Sequence, residues 1–152
     1  MQSENRYGRF FLDTNVYVVG AQDLSTAEGK ILLWLGFEEE KEDAAEVVLS
    51  QELIMQILRV AKRLRGKDWA GSLISRIWQK FNIVYVLVEE SALSEEAKAF
   101  IPREDVGVYL TAKQGKADFF ISSNYELIRS AAAKTRDFQC LTPGEFVRRI
   151  SL

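Results

Sequence analysis

The chain has 152 residues, 47% apolar and 28% charged, a length and balance that suit one compact domain with a real core. Its net charge of -2 does not point to nucleic acid, although it leaves room for a local basic surface. The lack of histidine removes the usual general base, the Ser-His-Asp and Cys-His arrangements and the commonest transition-metal ligand, while a single cysteine, Cys140, excludes an internal disulfide and a thiolate zinc cluster.

The N-terminal "MQSENRYGR" carries no secretory apolar segment, and no apolar stretch approaches the roughly 18 residues of a membrane span, so a cytoplasmic protein with no membrane association is expected. A first strand, "RFFLD" at 9–13, ends on an acid, and Thr14 and Asn15 turn the chain. Helical spacing follows at 26–37, through Ile31, Leu32, Trp34 and Leu35, before the surface patch "EEEKED" at 38–43. A second strand, "EVVLS" at 46–50, runs into a helix over 51–65, and the turn "RGK" separates it from another over 68–80. The third strand is "NIVYVLV" at 82–88, with helices at 94–100 and 104–114 after it. "DFFIS" at 118–122 and "FQCL" at 138–141 are the last strands, each followed by a helix, 124–134 and 143–150.

Most strands are apolar on consecutive positions, as in strands covered on both faces. Their alternation with helices predicts a single domain over 1–152, a three-layer α/β/α sandwich around a five-stranded parallel sheet.

Ligands of open parallel sheets gather beyond the carboxyl ends of the strands. Three acids are expected there: Asp13 closing the first strand, Glu52 in the first turn after the second, and Asp105 at the start of the helix that leads to the fourth. Glu52 and Asp105 also suit a helix N-terminus, where the macrodipole favours an acid by about 0.3–1 kcal/mol. Asp13 is harder to account for, because a carboxylate at the end of "FFL" is partly desolvated and costly without partners. Three converging carboxylates repel unless a cation is present, and oxygen ligands without histidine or cysteine suit Mg²⁺ or Mn²⁺. Such a site suits phosphodiester hydrolysis, in which a metal activates water and stabilises charge on the phosphate.

On these blocks the sequence resembles the PIN-domain family, metal-dependent ribonucleases that include the VapC-type toxins of toxin-antitoxin pairs. "FLDTNV" at 11–16 is similar to the family's opening strand and "VLSQEL" at 48–53 to its second motif; "REDVGVYLTAKQGKADFFISSN" at 103–124 is similar to its long third block. The resemblance implies that Asp13, Glu52 and Asp105 are the catalytic metal ligands for Mg²⁺ or Mn²⁺, that RNA is the substrate, and that a homodimer and an antitoxin partner are in keeping with the family. Ser122 to Asn124 matches the segment that usually holds a fourth acid, so Asn124 departs from the pattern and weakens the case for two metals. Asp118, four residues before Ser122 and hence roughly 13 Å from that strand end, is read as structural.

Thr14 and Asn15 have two readings, orientation of the Asp13 carboxylate or satisfaction of backbone groups in the turn. The run "RVAKRLRGK" at 59–67 offers Arg59, Lys62 and Arg63 as nucleic-acid contacts, or simply a solvated helix end. Its far end lies roughly 20 Å from Glu52, which suits flanking RNA or an acidic partner rather than the scissile phosphate. Two other functions compete with the nuclease. One is a PIN-like module that binds RNA or protein and has lost catalysis. The other is a haloacid-dehalogenase-like phosphotransferase, which wants a second aspartate where this chain has Asn15.

Overall fold

A computed structural model describes residues 8–39, 45–89, 106–134 and 138–150. The chain runs β1 (Arg9–Leu12), α1 (Thr14–Gln22), α2 (Ala27–Trp34), β2 (Glu46–Ser50), α3 (Gln51–Arg65), α4 (Lys67–Lys80) and β3 (Asn82–Val86). It continues through α5 (Val106–Gln114), β4 (Phe119–Ile121), α6 (Tyr125–Lys134), β5 (Gln139–Leu141) and α7 (Pro143–Ile150). The helix expected at 94–100, and residues 104 and 105 of the next, lie outside the described residues.

The five strands form one sheet in the order β3-β2-β1-β4-β5, every pairing parallel. β1 therefore has β2 on one side and β4 on the other, and the direction of winding reverses between β1 and β4. That reversal opens a crevice beyond the carboxyl ends of these two strands.

Phenylalanines fill both faces of the sheet because successive side chains of a strand point opposite ways. On one face Phe10 stacks on its register partner Phe119 (4.9 Å between centroids) and meets Trp34 of α2 (5.6 Å) and Phe146 of α7 (5.3 Å). On the other, Phe11 stacks on Phe120 (4.7 Å), Phe120 on Phe138 (5.2 Å), and Phe138 meets Tyr109 of α5 (5.7 Å). Helices thus cover both sides, the expected three layers. Aromatic pairs of this kind contribute about 0.5–1.5 kcal/mol each beyond their buried area.

The segment after β1 corrects the sequence reading. Thr14 and Asn15 do not merely turn the chain; they begin α1, which runs through "VYVVG". Valines favour strands, but Val16, Tyr17 and Val18 are fully buried, and packing against α2 and α3 overrides the propensity. α2 follows so closely that a methyl group on Gly29 would lie 2.4 Å from Leu24 Cα, and Thr26 caps it by accepting from Gly29 N (2.9 Å). A second correction concerns β3, which is an edge strand with Asn82 and Tyr85 exposed, not one covered on both faces.

α3 buries Leu53, Ile57 and Ala61 along one stripe and turns its cations outward. Gly66, at φ +92°, makes the tight turn into α4, which buries Ala70, Leu73 and Ile77. No helix among the described residues is long and apolar enough to cross a membrane.

Candidate functional site

Asp13 stands where β1 stops, in the crevice between β1 and β4. Its backbone N–H donates to Ile121 O of β4 (2.9 Å) while its own carbonyl accepts from Val16 N (3.0 Å), so one residue ends the strand and opens α1. Oδ1 of the side chain accepts from Thr14 N (2.8 Å), and Oδ2 accepts from the hydroxyl of Ser122 at the end of β4 (2.8 Å). The residue is only 9% exposed. Burial raises its carboxyl pKa above the ordinary carboxylate value, and the Ser122 and Thr14 hydrogen bonds pull against that rise. A nearby cation would relieve the cost of the charge.

Ser122 is itself held, donating N–H to Leu141 O (3.1 Å) and accepting from Asn124 N (3.0 Å). Asn124, expected at the fourth corner, is exposed; its side-chain oxygen accepts from Leu127 N (3.1 Å) and its backbone carbonyl from Ile128 N (3.0 Å). It caps α6, a duty that aspartate performs equally well. Thr14 serves the carboxylate through its backbone, whereas its hydroxyl donates to Gln56 Oε1 on α3. Asn15 is exposed in the first turn of α1.

That Thr14–Gln56 bond joins Asp13 to a second wall. Gln56 lies one turn beyond Glu52, and both line a cleft of about 510 Å³ with Arg59, Gly107 and Val108. Ser50 fixes this wall. Its hydroxyl accepts from Leu53 N (3.2 Å) as the cap of α3 and bonds Thr111 Oγ1 (2.6 Å), which donates to Gly107 O (2.8 Å). The start of α5 is thereby pressed against α3: a methyl group on Gly107 would lie 3.4 Å from Glu52 Cγ.

The structure therefore ties Thr14, next to Asp13, to Gln56, which shares a cleft with Glu52, and brings Ser122 onto Asp13. Asp105 lies outside the described residues, and among those described no group of three acidic, cysteine or histidine side chains converges. Asp118 is at the opposite end of the sheet, accepting from Arg9 N (2.7 Å). The basic run divides. Arg59, two turns from Glu52 and hence about 10 Å along α3, lines the cleft, a correction to the expectation that the run stays clear of the site. Lys62 and Arg63 line an adjoining groove between α3 and α4, which Arg59 also borders.

Sequence reasoning passed over Gln56, Thr111 and Gly107. Gln56 had a signal, since Glu52, Gln56 and Arg59 fall at i, i+4 and i+7 on one helix face. Thr111 had none, because only the pairing of α5 with β2 reveals it.

The donors gathered here are all oxygen, from carboxylate, amide and hydroxyl groups, with a buried carboxylate whose charge lacks a counterion among the described residues. That donor set fits Mg²⁺ or Mn²⁺, which take one or two protein carboxylates and keep several waters.

No family model matches the sequence, and no curated protein does. Among solved structures the fold is similar to a chain of the crystal structure of VapBC2 from Rickettsia felis bound to a DNA fragment from its promoter. The two are 12% identical, with a TM-score of 0.56, over 88% of this chain and 98% of that one. At that identity the likeness is one of fold, and the fold is PIN-like.

Proposed function

We propose that the protein is a metal-dependent endoribonuclease of PIN type, acting as the toxin of a toxin-antitoxin pair. The observation that carries this reading is the Asp13 carboxylate, buried at the crevice between β1 and β4, clasped by Ser122 and Thr14, and linked through Gln56 to the cleft of Glu52. The PIN-like fold, with its likeness to the VapBC2 complex, supports it.

Asp13 and Glu52 would hold Mg²⁺ or Mn²⁺, with Asp105 the third ligand. When bound, the ion supplies positive charge against the phosphate and lowers the pKa of water. Ser122 and Thr14 N–H hold the Asp13 carboxylate in one orientation, and Gln56 anchors α1 to α3. Arg59 on the same cleft offers a cation to an RNA phosphate that the two acids repel.

The test is cleavage of a fluorophore-labelled single-stranded RNA with Mn²⁺ or Mg²⁺. Wild-type protein cleaves, EDTA stops it, and Asp13→Asn reduces the rate at least 100-fold; activity surviving in that variant overturns the assignment.

Asn124 favours a second reading. It brings no charge, and its side-chain oxygen is engaged as a cap, so a PIN-like module that binds RNA or protein without cutting remains its rival. Calorimetry decides: no divalent-metal binding alongside retained RNA or protein binding selects the module.

A further inference from the structure

Next to the cleft, and sharing Met55 and Arg59 with it, α3 and α4 enclose a groove of about 780 Å³. Its floor is apolar, formed by Met55, Leu58 and Gly71, and Met55 is 51% exposed. Its rim carries Arg59, Lys62, Arg63 and Lys67. None of the four forms an ion pair among the described residues, whereas Arg9 is paired with Glu46 and Arg76 with Glu38. Arg65, the other cation of the run, is turned over the Trp69 ring, 5.5 Å from its centroid.

Gly71 supplies the second observation. It sits inside α4, where glycine costs about 1 kcal/mol relative to alanine, yet a Cβ there would meet nothing within 4 Å. Packing does not call for glycine there, and its lack of a side chain leaves the groove open along α4. An exposed methionine is suited to a partner's apolar side chains, since its thioether stem adapts to their shape.

We infer that this groove docks an acidic amphipathic helix of a partner protein, its apolar face on Met55, Leu58 and Gly71 and its carboxylates against the basic rim. Helices recognised this way present anchors at i, i+3, i+4 and i+7. A basic rim alone would suit RNA equally, but single-stranded RNA is held by stacking its bases on aromatic rings, and no aromatic side chain lines this groove. An apolar floor is wasted on phosphates. The inference stands whether or not the cleft binds metal.

Met55 gives the experiment a clean reporter, because the only other methionine is Met1. The full chain, labelled with ¹³C-methyl methionine, is titrated with four probes. These are a 20-residue peptide with leucine at i, i+3, i+4 and i+7 and glutamate on its other faces, the same peptide with glutamine for leucine, the same with lysine for glutamate, and a 12-nucleotide single-stranded RNA. The acidic amphipathic peptide is expected to move the Met55 methyl resonance saturably and to bind at least tenfold more tightly than the other two peptides. Gly71→Trp, which fills the groove, and the exposed double variant Lys62→Glu/Arg63→Glu should each weaken it at least tenfold while keeping the wild-type circular dichroism spectrum. Equal binding of the glutamine peptide, a Met55 shift caused by RNA that Lys62→Glu/Arg63→Glu abolishes, or undiminished peptide binding to both folded variants would overturn the inference. So would a Met55 shift produced by raising protein concentration alone, which would make the occupant a second copy. An RNA shift that survives the double variant arises in the cleft, which Met55 also lines, and leaves the peptide result to decide.

Discussion

Replacing Asp13 by asparagine should stabilise the metal-free protein and destabilise the metal-loaded one. The substitution keeps the shape and an oxygen to accept from Thr14 N, and its amide can donate to the Ser122 hydroxyl. Two charge-assisted hydrogen bonds become neutral ones, a loss of about 1 kcal/mol each. Against this, a carboxylate that is 9% exposed no longer has to be held charged, a cost of several kcal/mol per buried ion. Burial leads the influences on Asp13, so the net change favours asparagine. A gain on the order of 1 kcal/mol raises Tm by about 2–4 °C in a domain of this size. Because the folded-state pKa is raised above the ordinary 3.8, the wild type is favoured most below that pH and loses this advantage as pH rises through the folded value. The gap between variant and wild type is therefore wide at pH 8 and narrows toward acid. In Mn²⁺ at 100 times its Kd the wild type gains about 2.7 kcal/mol and the variant does not, so the order inverts. Melts followed by circular dichroism in EDTA and in MnCl₂, at pH 5 and pH 8, read all of this. A wild type that melts above the variant in EDTA at pH 8, or an equal Mn²⁺ response in both, would refute the reasoning.

Glu52→Gln should abolish the Mn²⁺ stabilisation but change the metal-free Tm little, within about 0.5 kcal/mol for a half-buried first-turn residue, as the same melts would show. Ser122→Ala removes a donor to Asp13 and the acceptor of Asn124 N–H, and urea unfolding should find it about 1–3 kcal/mol less stable. Tyr17 is fully buried and its hydroxyl has no partner among the described residues, so Tyr17→Phe should be neutral or stabilising by up to about 1 kcal/mol, measured the same way. Gly29→Ala forces a methyl into the backbone of Leu24 and should cost about 1–3 kcal/mol or more.

The layers and strand positions were legible because β1, β2 and β4 are buried on both faces, so their apolar runs are continuous and read unambiguously. α1 was not legible. Its "VYVV" carries strand propensity, and only the tertiary fit against α2 and α3 makes it helical. Asp13 and Glu52 could be placed near the carboxyl edge of the sheet from sequence because one ends a strand and the other opens the helix that follows a strand. Ser122 was placed at the same edge, and its register beside Asp13 follows from Leu12 pairing with Ile121. Gln56 and Thr111 act across elements, through Thr14 and Ser50, and such contacts leave no trace in local spacing. Asn124 shows the reverse difficulty: one residue type serves a helix cap and a metal corner alike.

The central claim is a divalent-ion site made by Asp13 and Glu52. Anomalous diffraction from a crystal soaked in MnCl₂ tests it most directly. The account predicts one Mn²⁺ peak bonded to carboxylate oxygens of both residues, with Asp105 completing the set. A peak elsewhere, or none at saturating Mn²⁺, would contradict it, and two peaks would show that Asn124 does not limit the site to a single ion.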